Sequence, residues 1–319
     1  MPELPEVETV RLSLAEQVLG AEIEGVQVHH PDAVLAPPPG RWQDLLAGAA
    51  ITGTGRRGKY LFLALHQPNL ADDMVLLVHL RMTGRLLVVP GDEPLEKHTH
   101  VQIGLSGGRD LRFVDTRRFG RLAVLPMAHL GPVAAAAGLA PSSNDEDLDG
   151  GARSSVKEAA AALDWFQVRE ALPPGLWTLG PEPLSRDFTP SYLARQLEGR
   201  KAPIKRLLLD QRLVAGLGNI YVDEALFRSR IHPARSAGSL TRAEIRRLHK
   251  AIGQVLQEGI AWRGTTFSDF VDSESRPGDM GRRLQVFRRQ GEPCPKCGTT
   301  IEKTRLAGRG THFCPRCQA

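Results

Sequence analysis

The chain begins with the stretch Met1-Pro2-Glu3-Leu4-Pro5-Glu6, and the interpretation of the remaining sequence depends on it. Because proline is small, we expect the initiator Met1 to be removed, which exposes the secondary amine of Pro2. An α-amine has a pKa of about 7.7–8.0, so part of it is unprotonated at neutral pH and can form a Schiff base with an electrophilic carbon. Glu3 is a candidate proton donor beside it. The alternative is a frayed terminus without a chemical role.

Length and composition bound the class of protein. A chain of 319 residues is long enough for two domains, and its hydrophobic content of 41% is ordinary for a globular protein. No apolar run approaches the roughly 18 residues of a membrane helix, and no export signal opens the chain. We therefore expect a cytoplasmic protein that does not interact with membranes.

Positive charge is concentrated in the carboxyl-terminal half. Residues 184–319 carry 25 Lys and Arg against 13 Asp and Glu, an excess of +12, whereas residues 131–183 carry 3 against 8, or −5. A basic half favours a polyanion such as DNA as the partner. Ordinary solvated surface charge explains the same excess, so both interpretations stay open.

The amino-terminal half reads as one helix followed by short strands with glycine-rich turns, which predicts a β-sandwich or barrel. The helix is expected at Thr9–Leu19. The predicted strands are Ile23–His29, Ala49–Gly53, Tyr60–Leu65, Met74–His79, Arg85–Val89, Val101–Leu105, Leu111–Val114 and Leu122–Leu125.

The carboxyl-terminal half reads as helical, from apolar residues at helical spacing between Gly and Pro breaks. The predicted helices are Thr189–Glu198, Ile204–Leu209, Ile220–Arg228 and Arg242–Trp262. Glycines in Val214–Asn219 precede the third helix and would let backbone N–H groups approach a phosphate. A simple tight turn is the alternative.

Four cysteines end the chain in two Cys-x2-Cys pairs separated by 16 residues: Cys294, Cys297, Cys314 and Cys317. This spacing predicts a zinc ribbon, whereas two disulfides are disfavoured in a cytoplasmic chain. Four thiolates leave no open position for water, so the Zn²⁺ would be structural and would hold a β-hairpin too small for its own core.

The middle of the chain has an alanine-rich stretch at Val133–Gly138 and a polar, acidic stretch at Pro141–Gly151. Low hydrophobicity predicts a disordered loop at 141–155, and helical periodicity predicts a helix at Val156–Ala171. Because this segment is acidic, the phosphates of DNA would repel it. We therefore expect it to face away from the groove that binds DNA. No function is assigned to it.

Several motifs occur together in one order and resemble formamidopyrimidine-DNA glycosylase, the bacterial 8-oxoguanine DNA glycosylase and AP lyase family. The motifs are Met1–Val10, Gly58–Tyr60, His79–Gly84, Asp115–Gly120, Gly216–Tyr221 and the four-cysteine finger. Leu4 favours this branch over the endonuclease VIII relatives. The resemblance covers roughly residues 1–130 and 178–319.

The resemblance implies an α+β multidomain fold. Residues 1–130 would form a catalytic β-sandwich flanked by helices, and 131–178 an insertion and linker. Residues 179–284 would form a helix–two-turn–helix DNA-binding domain, and 285–319 a zinc-ribbon hairpin.

The resemblance also implies which residues act. Pro2 would be the nucleophile and Glu3 the proton donor, while Lys59 and Arg309 would neutralise leaving phosphates. Glu6 and Glu224 would orient groups, with Glu224 facing the active site. The implied DNA contacts are His79, Met82, His98, Arg117, Phe119, Arg200 and Asn219.

The implied substrate is double-stranded DNA with oxidised purines, chiefly 8-oxoguanine opposite cytosine and formamidopyrimidines. In the family, the region from Thr265 to Arg282 caps the extruded base, and here Asp279-Met280 replaces a frequent aromatic pair. Two alternatives remain: an endonuclease VIII-like enzyme for oxidised pyrimidines, and a non-catalytic zinc protein that binds damaged DNA. We expect a bacterial, nucleoid-associated monomer.

Overall fold

The computed structural model describes residues 1–70, 72–139 and 174–318, and the chain divides into two compact units. Unit 1 comprises Met1–Pro2, Glu6–Trp177 and Thr266–Gly278, and unit 2 comprises Glu3–Pro5, Thr178–Thr265 and Asp279–Ala319. The predicted loop 141–155 and helix 156–171 lie outside the described residues. The four-part division expected from the sequence remains a prediction.

Unit 1 contains two β-sheets. One has four strands in the order β1-β7-β8-β6, and the other has five in the order β2-β9-β5-β4-β3. All their pairings are antiparallel except β2 with β9. The strands are β1 (Ile23–Val28), β2 (Val34–Ala36), β3 (Ala50–Arg57), β4 (Tyr60–His66), β5 (Met74–His79), β6 (Gly84–Pro90), β7 (Thr99–Leu105), β8 (Arg109–Asp115) and β9 (Arg121–Pro126).

Helix α1 (Leu4–Val18) covers the hydrophobic core of unit 1. Its buried residues Val7, Val10, Leu14 and Val18 recur every three or four positions and therefore form one apolar stripe. Short helices α2 (Trp42–Leu46), α3 (Met127–Leu130) and α4 (Pro132–Ala136) complete the unit. The core thus fixes the strand ends and turns that carry the predicted site residues.

All eight predicted strands are present, but the predicted start of the first helix was wrong. Helix α1 begins at Leu4, five residues before the expected Thr9, because Val7 extends the apolar stripe and Pro5 is tolerated in a first turn. The sequence also gave no prediction for α2, whose Trp42 is completely buried and donates its indole N–H to the Pro37 carbonyl.

Unit 2 is a helical assembly with a terminal hairpin. Its helices are α5 (Pro190–Leu197), α6 (Ile204–Leu208), α7 (Asn219–Ser229) and α8 (Arg242–Ala261), close to the four predicted. The hairpin strands are β10 (Glu302–Leu306) and β11 (Arg309–Phe313). They are joined by Ala307-Gly308, both at positive φ, as a two-residue type I′ turn requires.

A capping box opens α8, with reciprocal bonds between Thr241 and Glu244. The apolar residues of α7 and α8 share one core cluster with those of α5 and α6. Among the described residues, no helix combines the length and the apolar character needed to cross a membrane.

Candidate active site

Glu3 caps helix α7. Its carboxylate oxygens accept hydrogen bonds from the backbone N–H groups of Ile220 at 2.9 Å and Tyr221 at 3.4 Å. The helix's own N-cap residue is Gly218, which has no side chain to fill this role. An anion at a helix N-terminus also complements the helix dipole. Glu3, only 3% exposed, is therefore fixed in one position.

The glycines before α7 make room for the amino-terminal segment. A Cβ atom on Gly218 would lie 2.3 Å from Glu3 Cδ, and one on Gly216 would lie 2.7 Å from Leu4 Cβ. The Leu4 N–H also donates to the Gly216 carbonyl at 3.0 Å. The anion at this helix start is thus the Glu3 carboxylate, whereas the glycine pattern had suggested a phosphate.

Pro2, Glu6 and Lys59 belong to unit 1, and all three are buried. Lys59 lies in the turn between β3 and β4, after Gly58 with φ of 57°. A lysine at a strand end is ordinarily solvated, but only 7% of Lys59 is exposed. Because Lys59 is buried, it is not an ordinary solvated lysine at the end of a strand.

His79 is a neutral histidine in this structure. Burial, followed by the positive charges of Arg81 and Lys59, lowers its pKa to about 3. Its Nδ1 accepts the Arg81 backbone N–H at 3.1 Å, which leaves the proton on Nε2. The ring packs edge-on against Tyr60, with 4.6 Å between ring centroids. At neutral pH His79 can therefore donate one hydrogen bond without carrying charge.

Two loops of unit 1 expose large apolar side chains. Met82, in the loop after β5, is 37% exposed, and Phe119, in the loop after β8, is 46% exposed. The guanidinium carbon of Arg117 lies 4.8 Å from the centroid of the Phe119 ring. Exposed apolar side chains that intercalate between base pairs are typical of proteins that distort DNA.

Asp115 anchors both loops, and the sequence interpretation assigned it no role. Its Oδ1 accepts the Thr83 hydroxyl at 2.5 Å and the Arg117 N–H at 3.2 Å, and its Oδ2 accepts the Gly120 N–H at 2.7 Å. The carboxylate is completely buried. The sequence offered one indication of this role: Asp115 is a charged residue directly after the predicted strand Leu111–Val114.

Glu224 lies beneath the segment that leads to the cysteines. Its carboxylate accepts the backbone N–H groups of Gln285, Val286 and Phe287 at 2.9–3.0 Å. Burial raises its pKa above the ordinary glutamate value, while these donors oppose the rise. These contacts anchor the 285–287 backbone, and the expected position of Glu224 facing the active site stays a prediction.

A buried ion pair holds the hairpin beside Arg309. Lys205 Nζ donates to Asp223 Oδ1 at 2.6 Å and to the Gly310 carbonyl at 3.1 Å, and both side chains of the pair are fully buried. The amide of Asn219, predicted to hold a phosphate, also donates to that carbonyl, at 2.9 Å. Lys205 and Asp223 were missed because their pairing requires tertiary structure.

The remaining predicted contact residues are accessible. Arg309, at the start of β11, and Arg200, after α5, are exposed, and His98 is half-buried with φ of 72°. Pro2, Glu6, Lys59, His79, Met82, His98, Arg117 and Phe119 belong to unit 1. Glu3, Arg200, Asn219, Glu224 and Arg309 belong to unit 2.

The four cysteines form a site for one metal ion. All four sulfurs lie within 4.8 Å of one another, with Cys294 and Cys317 3.8 Å apart and Cys297 and Cys314 3.5 Å apart. Tetrahedral Zn–S bonds of about 2.3 Å require sulfur separations of about 3.8 Å, so the cluster fits Zn²⁺. Four thiolate ligands make this zinc structural.

Comparison with known proteins places these features in one family. Three family models match: the formamidopyrimidine-DNA glycosylase N-terminal domain over residues 1–122, its H2TH domain over 179–271, and the zinc finger found in FPG and IleRS over 291–319. The formamidopyrimidine-DNA glycosylase of Symbiobacterium thermophilum is 47% identical over 318 residues, with 100% of this chain and 89% of the relative covered. The chain belongs to the formamidopyrimidine-DNA glycosylase family.

Other members of the family match along their full length. The formamidopyrimidine-DNA glycosylase of Heliobacterium modesticaldum is 44% identical over 321 residues, with 100% of both chains covered. Lactococcus lactis Fpg in complex with abasic-site DNA matches with a TM-score of 0.79 and 33% identity, over 99% of each chain. The same protein with N7-benzyl-Fapy-dG DNA gives 0.80 and 34%, again over 99% of each chain.

Family membership confirms the coarse prediction made from the sequence. The chain is a DNA glycosylase, the class of enzyme that begins base excision repair, and its partner is DNA. Its fold is α+β and multidomain, and its finger carries one structural zinc.

Proposed function

We propose that the chain is a bifunctional DNA glycosylase and AP lyase for oxidised purines, chiefly 8-oxoguanine opposite cytosine and formamidopyrimidines. The observation that carries this proposal is the burial of the amino-terminal segment. Pro2 and Glu3 are buried, and Glu3 accepts two backbone hydrogen bonds at the start of α7. A frayed terminus would have neither property, so a chemical role is favoured for these residues.

In the proposed reaction, the Pro2 nitrogen, once Met1 has been removed, attacks C1′ of the damaged nucleotide. A bond forms between this nitrogen and C1′, and the glycosidic bond breaks, so that the base leaves with the bonding electrons. As the sugar ring opens, the Glu3 carboxylate takes the proton that the Pro2 nitrogen loses and gives it to the ring oxygen O4′. The product is a cationic iminium that links the protein to the sugar.

Strand cleavage follows from the acidity that this iminium confers. Loss of a C2′ proton breaks the C3′–O3′ bond by β-elimination, and δ-elimination then breaks the C5′–O5′ bond. Each step expels a phosphate, whose negative charge Lys59 and Arg309 would neutralise. The burial of Lys59 supports this role, because a desolvated cation stabilises an anion more strongly than a solvated one.

Extrusion of the damaged base leaves a gap in the duplex. We propose that Met82 fills this gap. Arg117 would donate hydrogen bonds to the orphaned cytosine while Phe119 stacks on a neighbouring base pair. Their exposure and the Asp115 contacts beneath both loops support these roles. Neutral His79, His98, Arg200 and Asn219 would contact the DNA backbone.

Borohydride trapping on an 8-oxoguanine:cytosine duplex tests the nucleophile. Borohydride reduces the iminium to a stable covalent adduct, which protein processed at Met1 should form. A version with one extra amino-terminal residue should form none. Equal trapping by both versions would show that a lysine is the nucleophile, and binding without trapping by either would favour a non-catalytic damage-binding protein.

A thymine-glycol duplex in the same single-turnover assay tests the lesion class. Faster processing of 8-oxoguanine supports the proposal, and faster processing of thymine glycol would favour the endonuclease VIII-like alternative. The expectations of a monomer, of bacterial cytoplasmic residence and of association with the nucleoid stay predictions.

A further inference from the structure

A groove with a volume of about 610 Å³ lies in unit 2, at the beginning of helix α8. Helix α5, the turn at Ala237–Ser239 and the first turns of α8 form its sides. None of the residues assigned above to catalysis or to DNA contact lines it. The groove therefore has no role in the proposed reaction.

Three arginines give the groove a positive rim. Arg195, Arg242 and Arg246 are exposed, and none has a hydrogen bond or an ion pair among residues 1–70, 72–139 and 174–318. Arg242 is the first residue of α8 and Arg246 follows four positions later, so the two cations share one helix face. Cations are also disfavoured at the positive end of a helix dipole.

The nearest acid on α8 does not compensate these charges. Glu244 accepts two bonds from Arg235, at 2.6 Å and 3.0 Å, and one from the Thr241 N–H at 2.8 Å. These contacts lower its pKa to about 2, so it stays ionised and engaged with Arg235. Glu198 is the one acidic residue among those that line the groove, whereas three of the lining residues are arginines.

Nonpolar side chains form part of the lining of the groove. Leu197, Leu240 and Ile245 contribute to it, together with Ala194 and Ala237. A concave volume of this size accommodates side chains of a bound peptide. The backbone of a DNA duplex presents rows of charged phosphates, which would not fill an apolar cavity.

We propose that this groove binds a short acidic peptide segment of a partner protein. One apolar side chain of the peptide would enter the cavity, and neighbouring carboxylates would pair with Arg195, Arg242 and Arg246. Arginine suits this role, because its planar group can bind a carboxylate through two parallel hydrogen bonds. The bound carboxylates would also offset the repulsion between the two arginines of α8.

The groove lies next to a residue that we propose contacts DNA, so a partner could bind the groove while the enzyme is on DNA. The N–H of Gly238, which lines the groove, donates to the carbonyl of Arg200 at 2.8 Å. Arg200 is a proposed DNA contact, and only this part of the inference rests on the proposed function. A docked partner would therefore lie beside the nucleic acid.

Fluorescence anisotropy with the full chain tests the proposal, using the fluorescein-labelled peptide Gly-Asp-Glu-Leu-Asp-Glu-Gly at low ionic strength. We expect saturable binding that weakens with added salt. The double variant Arg195→Glu/Arg246→Glu should bind at least about tenfold more weakly, since like charges then face each other. A peptide with serine in place of leucine should also bind more weakly.

Lys250→Glu is the matched control, because Lys250 is an exposed cation on the same helix that does not line the groove. It should leave peptide binding unchanged. A neutral variant, Arg195→Gln/Arg246→Gln, with an unchanged thermal melt should also weaken binding, which separates lost pairing from unfolding.

Three results would overturn the proposal. These are the absence of saturable binding, an equal loss in the Lys250→Glu control, and an equal loss of affinity for undamaged duplex DNA in the arginine variants. The last result would instead identify a surface that binds phosphates. Borohydride trapping should be unaffected in every variant, so failure here is distinguishable from failure of the proposed reaction.

Discussion

Gly218→Ala tests directly whether the Glu3 anchor positions the reaction. The backbone of Gly218 has φ of −143°, which alanine adopts without strain, so the effect is steric alone. The added Cβ would lie 2.3 Å from Glu3 Cδ and 2.5 Å from its Oε1. Ordinary contact begins at 3.4 Å, so the Glu3 carboxylate must move by about 1 Å.

That displacement has two measurable consequences. Loss of the cap on Ile220 and Tyr221 should lower the free energy of unfolding by about 1–2 kcal/mol. A misplacement of about 1 Å in a reacting constellation typically lowers the rate about a hundredfold. We therefore expect a fold that persists and a single-turnover rate on 8-oxoguanine DNA lowered by about two orders of magnitude.

The assay combines denaturant unfolding with single-turnover cleavage and borohydride trapping. Gly253→Ala is the control, since an added Cβ at this position of α8 meets no atom within 4 Å. It should stabilise the protein by about 0.5–1 kcal/mol and leave the rate unchanged. Wild-type rate and stability in Gly218→Ala would refute the proposed function of the anchor.

Three further predictions concern other parts of the molecule. Asp115→Ala leaves the buried Gly120 N–H without its acceptor and should cost about 1–3 kcal/mol, measured by denaturant unfolding. The same change should reduce discrimination between cytosine and adenine opposite the lesion, whereas unchanged discrimination would argue against the loop anchor. Because the folded-state pKa of His79 is lowered to about 3, only the unfolded state gains its proton between pH 6.5 and 3. Stability should therefore fall as the pH falls, by up to about 2 kcal/mol at pH 5, and His79→Gln should remove this part of the loss. Zinc should be released by a strong chelator at one ion per chain in a colorimetric assay, with loss of DNA affinity, and full affinity in the metal-free protein would contradict the structural role.

Local patterns in the sequence predicted most of the regular structure. The strands from Tyr60 to Pro126 and helix α8 were close to their observed bounds, because apolar periodicity records which face is buried. The short helix α2 was missed, since its five residues are too few to establish a helical period.

The features of the candidate site also differ in whether the sequence could predict them. The cysteine spacing and the amino-terminal motif were visible in the sequence, because both are local. The Glu3 cap joins positions 217 residues apart, and the Lys205–Asp223 pair and the role of Asp115 also depend on tertiary contacts. Patterns within one segment carry no record of such contacts, so these roles emerged from the structure alone.

The Glu224 carboxylate limits how much of the chain unfolds when the zinc site loses its metal. It holds the backbone of Gln285, Val286 and Phe287 through contacts that require no metal. Loss of zinc would then release the two turns that carry the cysteines, while the 285–287 segment stays attached to α7 and the Gly310 carbonyl stays bound to Lys205 and Asn219. Metal exchange becomes a local unfolding event with its own small free energy, reversible without global refolding. Hydrogen exchange should accordingly show two levels of protection: fast exchange in the two turns that carry the cysteines, and slow exchange at the three amides that Glu224 binds.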